Sequence, residues 1–459
     1  MKHLNILKAL LLWCLTGVLL HAQSAYDAIR LTQGEMGFGS RALAMGGAYA
    51  GLADDYTAVY WNPAGLGLMK KYQFFAEFSN LSFTNRALFA RELTVDTQTY
   101  TRLRSMGLAV PVPTRRGSLV LAVGYNRILS FDDNLVFSGF SSESNGLAFD
   151  ITDDRDITDT YPFDRNVTRS ENVTSEGGLR QLTAGAALAL SPRFLVGAAV
   201  NYVVGAEDYH SRFVQDDTQD QYTLYPGDFH RYQMDRYLQS THRALVLRIG
   251  GLIHLKRGLR IGGAATLPSP YHVQEVHSSA DELTFDDGFV DEAEDNGQWD
   301  YTVSTPPVLD AGMSQRIGFL TLSASLRYRD WSQTRFRVSG NDLADSDYRQ
   351  LLEENAVIRQ DYRPTLEYRL GGEISLRPVG TTIRGGYALL PSPLRQAGAE
   401  RDREFLTGGF SYALDRDVHL DMTYLFGRWE RETRDSFTPG GTLEDITIGK
   451  LLVGLSYDF

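Results

Sequence analysis

The strongest constraint on the fold is a repeated two-residue alternation of apolar and polar side chains. Within 320–329 the apolar set is Leu320, Leu322, Ala324, Leu326 and Tyr328. The same alternation recurs at 194–205, 362–377, 418–426. Because successive side chains of a β-strand point to opposite faces, each segment predicts a strand with one oily and one polar face. A soluble β-sandwich alternates in the same way, so the period alone does not separate the two architectures.

The lengths of the connections between these segments distinguish a transmembrane barrel from a soluble sandwich. Short connections fall at 113–117, 191–193, 256–258, 315–318, 377–380 and 415–417. Long polar connections fall at about 85–102, 131–176, 214–235, 277–298, 338–358, 391–403 and 431–443. The two kinds alternate strictly along the chain, as tight periplasmic turns and long external loops do in a transmembrane β-barrel.

The sequence therefore predicts an all-β fold, a transmembrane antiparallel barrel of about fourteen strands in a bacterial outer membrane. The strands are predicted near 71–84, 103–112, 118–130, 178–190, 194–213, 236–255, 259–276, 299–314, 319–337, 359–376, 381–390, 404–414, 418–430 and 444–459. An even number returns the C-terminus to the periplasm. No linker and no long amphipathic helix is expected.

The first 22 residues have the order of a secretory signal peptide. Lys2 and Lys8 precede an apolar run, Ala9–Leu20, and a small residue, Ala22, stands at the expected cleavage site. A transmembrane anchor is the alternative, but the run is too short for one. A lipoprotein would use Cys14, where bulky Trp13 stands in place of a small residue. We expect cleavage after Ala22.

Cleavage would remove the only cysteine, which excludes disulfides, thiolate metal sites and a cysteine nucleophile from the mature chain. It would also leave 43 basic residues against 57 acidic ones, a net charge of −14. Nucleic-acid binding depends on neutralising phosphates, so we expect no nucleic-acid partner.

The C-terminal strand has one continuous apolar face. Its residues are Gly449, Leu451, Val453, Leu455, Tyr457 and Phe459. This ending resembles the signal that the barrel-insertion machinery reads, carried here by Tyr457 and Phe459. Leu452 departs from the pattern, since a polar residue is usual there. The alternative is the ordinary last strand of a soluble barrel.

Residues 23–70 do not alternate and are rich in small side chains, which allow close backbone packing. Asp54 or Asp55 could cap a short helix that Pro63 and Gly65 would stop. Eight strands leave room only for side chains and sixteen or more leave a channel, so about fourteen should enclose a lumen that needs a plug. The expected organisation is a signal peptide at 1–22, a hatch at 23–70 and a barrel at 71–459.

Several phrases in this hatch resemble the start of the FadL family of outer-membrane transporters. They are Ser40-Arg41-Ala42, Met45-Gly46-Gly47-Ala48, Ala53-Asp54-Asp55 and Trp61-Asn62-Pro63-Ala64-Gly65. Weaker likenesses are Thr305-Pro306-Pro307, Asp330-Trp331-Ser332-Gln333 and Gly385-Gly386-Tyr387. The resemblance implies a fourteen-stranded barrel whose N-terminal hatch includes Trp61 to Gly65 as gating residues.

The same resemblance implies passive uptake of hydrophobic molecules such as long-chain fatty acids, with sideways release at a kink in the third strand. Gly124 lies in that strand, where an interior glycine can mark a bulge. The alternative is that Gly124 is one of many small residues that face the lumen.

Charged residues on three successive predicted strands should point into the lumen. They are Arg327, Arg329, Glu367, Arg369, Glu373 and Arg384. One interpretation is a polar patch that holds a fatty-acid carboxylate, for which arginine offers two parallel hydrogen bonds. The other, favoured because the charges nearly balance, is a set of ion pairs that keeps the wall and hatch in register.

No catalytic constellation, cofactor site or metal site is predicted. Gly34, Gly37 and Gly39 have the wrong spacing for a dinucleotide loop, and the nine histidines form no zinc-binding pair. Six acidic residues crowd 286–295; they could hold calcium, but a solvated acidic loop fits them better. The chain is not expected to be an enzyme.

Three functions remain from sequence alone. The first is a passive transporter with a hydrophobic small-molecule ligand. The second is an interaction protein, since some FadL-like barrels serve type IX secretion; the polar loop at 131–176 would suit a secretion-system protein. The third is a general porin, against which the hatch argues. Outer-membrane lipid, lipopolysaccharide and the barrel-insertion machinery are the remaining expected partners.

Overall fold

A computed structural model of the chain describes residues 24–33, 35–115, 117–153, 155–339, 346–396 and 401–459. The predicted signal peptide at 1–22 lies outside these residues. None of the helices within them is long and apolar enough to cross a bilayer.

Fourteen antiparallel strands, four of them interrupted, form one closed sheet. In chain order, β1 to β14 are Gln73–Phe89, Glu92–Val112, Leu119–Ser130 with Asp133–Ser141, Val167–Ser191, Phe194–Asp216, Phe229–His254, Leu259–Thr266 with Pro270–Phe285, Val290–Ser304 with Val308–Ile317, Leu320–Asp330 with Arg335–Arg337, Pro364–Leu376, Thr381–Leu390, Arg403–Ala413, Val418–Thr433 and Thr442–Asp458. Each strand pairs with the next, and β14 pairs with β1 from Gln73↔Asp458 to Leu88↔Leu443. The predicted fourteen-stranded barrel is confirmed.

The two faces of the strands divide as the alternation predicts. On β9, Leu322 is 48% exposed, whereas the neighbouring Thr321 and Ser323 are buried against the interior. Large apolar side chains are exposed in the same alternating way on strands around the whole barrel. An outward apolar band on a closed barrel is a lipid-facing surface, so the chain is an integral outer-membrane protein.

The long external connections differ from the prediction, because much of their length is strand. The segment 85–102 is a hairpin with Ala90 and Arg91 at its turn, and 277–298 is a hairpin closed at 286–289. Above the lipid both faces of a strand contact water, so the apolar alternation disappears while the hydrogen-bonded ladder continues. The sequence pattern therefore places the strand ends too early.

The segment 131–176 is also largely ordered. It holds the outer part of β3, a small hairpin of Ala148–Thr152 with Thr158–Pro162, and the start of β4. Phe149, Phe163 and residues of neighbouring strands form an apolar core outside the lipid-facing band.

Within the described residues, four α-helices accompany the barrel. The helices α1 to α4 are Ala25–Thr32, Ser40–Ala44, Ala58–Trp61 and Ser346–Asp361. The long polar connection expected at 338–358 contains most of α4, whose Leu351 and Ile358 are buried. Asp286 and Asp287 lie in a turn, whereas Asp291 and Glu292 lie on β8. Among the described residues no three His, Cys, Asp or Glu side chains are grouped to hold a metal ion.

The last strand ends in an exposed aromatic cluster. Phe459 is 53% exposed and stacks on Tyr72 and Tyr457, while Leu452 is fully buried on the opposite face. Replacing Phe459 with Asp is expected to lower the amount of inserted barrel sharply, because a charge would occupy the lipid-facing edge. The heat-modifiable fraction in outer membranes measures this. Wild-type insertion of Phe459→Asp would show that the aromatic ending is not needed.

The topology predicts the orientation of the barrel in the membrane. Short turns lie at the periplasmic end of such barrels, and long connections lie outside the cell. An epitope inserted at Ser142 should be reached by antibody on intact cells, whereas one at Arg257 should be reached only after permeabilisation. Labelling of intact cells at Arg257 alone would invert the orientation.

Candidate functional site

The described residues of the segment 24–69, here called the lumen segment, lie inside the barrel. They contain α1, α2, α3 and a short 3-10 helix, Pro63–Leu68. Ser24 caps α1 in a capping box with Asp27, and Asn62 caps the 3-10 helix by accepting a hydrogen bond from the Ala64 amide. Small side chains let these short elements pack within the width of the lumen.

Eleven inward-facing glycines surround the lumen segment, and each comes from a different strand. This glycine ring consists of Gly107, Gly124, Gly185, Gly197, Gly250, Gly262, Gly312, Gly371, Gly386, Gly409 and Gly454. A Cβ added at any of them would lie within 3.3 Å of an atom of the lumen segment. At Gly262 it would lie 2.2 Å from the Ala50 carbonyl oxygen. The backbone of the wall therefore meets the segment directly.

The three remaining strands contact the segment through polar side chains. Glu77 of β1 accepts hydrogen bonds from the Ser40 hydroxyl at 2.6 Å and the Gly39 amide at 3.2 Å. Ser323 of β9 donates to the Ala48 carbonyl, and Thr423 of β13 donates to the Ser40 carbonyl at 2.8 Å. Every strand of the barrel thus contacts the lumen segment.

The sequence-predicted gating residues Trp61 to Gly65 lie in this packed region. The Trp61 indole donates to the Phe38 carbonyl at 3.0 Å, and the Trp61 carbonyl accepts from Arg248 of β6 at 2.9 Å. The Asn62 amide donates to the carbonyls of Ala50 at 2.8 Å and Gly251 at 3.0 Å. Pro63 and Ala64 pack on Gly197 of β5, and a Cβ at Gly65 would lie 1.9 Å from the Ala53 carbonyl oxygen.

Two of the predicted lumen charges belong to an ion-pair network that joins α2 to the wall. Glu373 pairs with Arg384 at 2.7 Å and with Arg41 of the lumen segment at 3.0 Å. Arg41 also pairs with Asp54 at 2.6 Å, and Asp54 pairs with Arg260 at 2.9 Å. This arrangement agrees with the ion-pair interpretation for Glu373 and Arg384.

A second network surrounds α3. Asp310 of β8 pairs with Arg327 at 2.7 Å and with Arg248 at 2.6 Å. Glu367 pairs with Arg369 at 2.6 Å, and Arg369 also donates to the Met36 carbonyl at 3.3 Å. These arginines are therefore already paired and hold the segment to the wall.

Arg329 differs from the other predicted lumen charges. It donates to the Thr32 carbonyl at the end of α1 and lies 4.4 Å from the Trp331 ring centroid. No carboxylate lies within ion-pair distance of it among the residues that the structure describes. It lines a small cavity of about 120 Å³ beside α1.

Sequence reasoning missed Arg248, Asp310 and Arg260. Each faces the lumen and continues a strand on which apolar residues face lipid, so the alternation could have identified all three as inward. It could not identify their partners, because Arg248 and Asp310 come from strands that are not adjacent.

Between α2 and the external end lies a cavity of about 150 Å³ with one apolar side, here called the inner cavity. Apolar lining residues include Met36, Leu43, Leu81, Phe83, Leu129, Phe405, Leu425 and Trp429. Its charged side is formed by Arg30, Glu35, Asp132, Asp133, Arg403, Arg431 and Lys450. The aliphatic and aromatic side of the cavity is suited to contact a small apolar molecule.

Glu35 fixes one edge of the inner cavity. Its carboxylate pairs with Lys450 and with Arg104, the latter at 2.8 Å. Burial by itself raises the pKa of Glu35, but Arg104 and Lys450 outweigh it and lower the pKa to about 2. The carboxylate therefore stays charged and the pair stays formed across the physiological pH range.

A larger vestibule of about 940 Å³ lies on the external side of α1. Tyr26, Arg30 and Phe131 line both the vestibule and the inner cavity, so α1 lies between them. Arg30 makes two parallel hydrogen bonds to Glu207 of β5 at 2.6 and 2.7 Å. This bidentate pair fixes α1 to the wall.

The third strand is interrupted beside the inner cavity. Its pairing with β2 ends at Ser105↔Asn126, its register with β4 shifts between Arg127 and Leu129, and the strand breaks at 131–132. The outer part of β3 pairs with β4 and turns inward, where Asn85 of β1 donates to the Asn134 carbonyl at 2.7 Å. Between residues 92 and 104, β2 has no strand partner on its β3 side among the residues that the structure describes.

The interruption does not lie at Gly124, where a kink was predicted. Gly124 pairs regularly with Gly107 and Thr183 on its two sides. A Cβ there would lie 1.8 Å from the Tyr56 hydroxyl oxygen, so Gly124 makes room for that side chain. The alternative interpretation, a small lumen-facing residue, fits its position.

A polar bridge lies in the gap between β2 and β3. Asp132 accepts from Arg102 at 3.3 Å and from Arg127 at 3.4 Å, and Arg102 also pairs with Glu176 at 3.2 Å. Arg102 is one-third exposed, so its pairs compete with water and are weak. The gap is thus closed by side chains and not by a strand ladder.

Comparison with solved structures identifies this architecture. The toluene transporter TodX of P. putida aligns over 92% of this chain and 99% of its own, with a TM-score of 0.58 and 13% identity. The chain has the fold of the FadL-type channels. The toluene transporter TbuX of Ralstonia pickettii aligns over 92% and 99% (TM-score 0.53, 17% identity), and a Pseudomonas aeruginosa FadL homologue over 91% and 97% (0.54, 14%).

No family model and no curated protein matches the sequence. At such low identity the likeness to the FadL-type channels establishes the fold. The function is therefore argued from the cavities and the strand gap described above.

Proposed function

We propose that the protein is a passive outer-membrane channel for hydrophobic compounds. The observation that carries the proposal is the inner cavity, which has an aliphatic and aromatic wall on one side and lies beside the gap between β2 and β3. A molecule in this cavity is close to a stretch of wall, at the external end of the β2–β3 pairing, where side chains, and not backbone hydrogen bonds, separate the lumen from the outside of the barrel.

The lumen segment supports a sideways path. The segment contacts all fourteen strands, and at the glycine ring it packs directly against the backbone of the wall. We infer that this packing blocks the route of a solute along the barrel axis. We propose that it acts as a hatch, and that Trp61 to Gly65 hold it in place. A general porin needs an open axial route, which this packing does not provide.

The proposed path starts in the vestibule, passes α1 and enters the inner cavity. Release to lipid then requires the Asp132 bridge to separate. Because Arg102 is partly solvated, breaking its pairs costs less than breaking a strand ladder. No covalent step and no cofactor is needed, since an apolar solute gains free energy by leaving water for lipid.

The volume of the inner cavity limits the size of the ligand that it can hold. A cavity of about 150 Å³ lined by aliphatic and aromatic residues suits a single aromatic ring. The structural relatives include two described as toluene transporters. We therefore propose a small apolar ligand of monoaromatic size; a long-chain fatty acid, the class inferred from sequence, would have to extend into the vestibule or the gap.

Filling the inner cavity tests this function. Leu81→Trp is expected to lower toluene binding to the purified barrel, and toluene uptake by cells, by at least about tenfold, because the larger ring occupies the cavity. Equilibrium dialysis of labelled toluene and cell uptake measure the effect. The matched control is Phe78→Trp on the same strand, where Phe78 is 56% exposed to lipid.

Both variants must first show heat-modifiable mobility. Wild-type toluene binding by Leu81→Trp would reject the inner cavity as the ligand site. Loss of toluene binding with unchanged oleate binding would place a fatty acid elsewhere in the barrel.

A further inference from the structure

The short-turn end of the barrel is basic, in contrast to the whole chain with its net charge of −12. Every one of the six short turns has a lysine or arginine in it or within two residues, and two lysines precede β1. Those in the turns themselves, with the two that precede β1, are Lys70, Lys71, Arg115, Arg116, Arg193, Lys256, Arg257, Arg316, Arg377 and Arg416. The acidic residues within two positions of these turns are Asp415 and Asp417, and Asp458 lies next to them at the end of the last strand. Asp54 of the lumen segment pairs with Arg260, inside the barrel.

The positive charge is densest over three neighbouring turns. Arg193, Lys256, Arg257 and Arg316, here called the basic cluster, lie in or beside these turns. The Arg193 carbonyl accepts from the His254 amide at 2.7 Å, and the Gln315 side chain donates to the Arg257 carbonyl at 2.6 Å. The turns are thus in contact, and no acidic residue occurs in 189–195, 253–260 or 315–320.

All four side chains of the basic cluster are exposed. None of them lies within ion-pair distance of a carboxylate in the described part of the chain. By contrast, Lys71, at the acidic side of the rim, pairs with Asp417. Four like charges held together without counterions raise the local potential and attract an anion.

The position of the cluster points to lipid as the source of that anion. Arg193 is followed by Phe194, Lys256 is preceded by Leu255, and Arg316 is followed by Ile317 and Phe319. These apolar neighbours are exposed on the lipid-facing surface, Phe319 at 65%. Cations directly beyond the apolar band lie at the level of the lipid headgroups, with aromatic rings at the interface.

We propose that the basic cluster binds the anionic headgroup of a phospholipid in the inner leaflet of the outer membrane. The phosphodiester would contact the four cations, and the acyl chains would lie along Phe194, Leu255 and Phe319. An acidic periplasmic protein is the competing partner. Lipid is favoured for two reasons. Each cation lies next to the apolar band, and the short turns offer only a small surface outside the membrane for binding a protein.

The test is lipid retention by the purified full-length barrel in native mass spectrometry. Phosphatidylglycerol and phosphatidylethanolamine of equal chain length are supplied in equal amounts. Because each cation near an anionic lipid surface contributes to affinity, the wild type should retain phosphatidylglycerol at least about tenfold over phosphatidylethanolamine. The preference should fall to about onefold in a variant with Arg193→Gln, Lys256→Gln, Arg257→Gln and Arg316→Gln.

The matched control removes four exposed cations from the external end, through Arg91→Gln, Arg335→Gln, Arg337→Gln and Arg349→Gln. It changes the net charge equally and should keep the full preference. All three proteins must show heat-modifiable mobility.

Three results would overturn the proposal. The first is equal retention of the two lipids by the wild type, which would leave an acidic protein as the better partner. The second is loss of the preference in the control variant, which would make it an effect of net charge. The third is displacement of phosphatidylglycerol by excess inorganic phosphate, which would make the cluster a site for free phosphate.

Discussion

Removal of residues 24–69 is expected to turn a nearly closed barrel into one that conducts ions. Fourteen strands enclose a lumen wider than side chains alone can fill, and the lumen segment is the part of the chain that fills it at the level of the glycine ring. Selective uptake of hydrophobic compounds should disappear at the same time, because Met36 and Leu43 of the inner cavity would be lost.

Single-channel recording in planar bilayers measures this conductance, with the full-length barrel as reference. Heat-modifiable mobility of the truncated protein shows that the barrel itself has formed. If the truncated barrel inserts normally and conducts no more than the full-length protein, the segment is not a plug. An interaction with a secretion partner would then be the better hypothesis.

The second large effect is expected from two pairs of glycines on β10 and β11. Gly371 pairs with Gly386, and Gly372 pairs with Gly385, one position further along. A Cβ at Gly371 would lie 2.4 Å from the Met45 carbonyl oxygen, and one at Gly386 would lie 2.1 Å from the Gly46 amide nitrogen. On the opposite face, the nearest atoms to a Cβ at Gly372 and Gly385 are 3.7 and 3.9 Å away.

Gly371→Val with Gly386→Val should therefore displace the lumen segment, since backbone atoms cannot rotate away as a side chain can. We expect ion conductance approaching that of the truncated barrel, and trypsin cleavage at Arg41. Gly372→Val with Gly385→Val should leave both unchanged, because the added methyl groups enter lipid. Valine is favourable in strands, so the two variants differ only in the face they occupy. Equal conductance of the two variants would contradict the role of the glycine ring.

The glycine ring shows what the sequence could and could not predict. The two-residue period correctly places Arg327, Glu367 and their neighbours in the lumen, because side-chain direction is a local property of a strand. It does not reveal that Gly262 must lack a side chain, because that requirement comes from Ala50, more than two hundred residues earlier in the chain. How two distant segments pack against each other cannot be predicted from the sequence of either segment alone.

The third strand gives a similar lesson about kinks. A glycine inside a strand has two physical meanings, a bulge or a close approach by another group. Gly124 has the second, and the bend occurs at Phe131 and Asp132, where no glycine or proline marks it. The bend is held at Asp132 because this side chain binds Arg102, Arg127 and the Gly177 amide. The fold brings these partners together, so the sequence near Asp132 does not reveal them.

The extent of the external strands could not be read from alternation either. In β4, Leu182 and Leu188 face lipid, but eight of the ten residues from 167 to 176 are polar, and the strand pairs with β5 from Thr168 onward. Backbone hydrogen bonding does not depend on side-chain type. The pattern therefore predicts the part of each strand that contacts lipid and not the whole strand.

The interior glycines belong to strands from β2 to β14, so the surface that receives residues 24–69 is complete only after the last strand has paired with the first. Thr423 and Ser40, which share a hydrogen bond, are 383 residues apart in sequence. Contacts of such long separation form late, because the entropy of closing the intervening chain opposes them until the rest of the structure exists. Residues 24–69 are thus expected to reach their native position after the strands that follow them, and docking of the segment would show that the barrel has closed in the correct register.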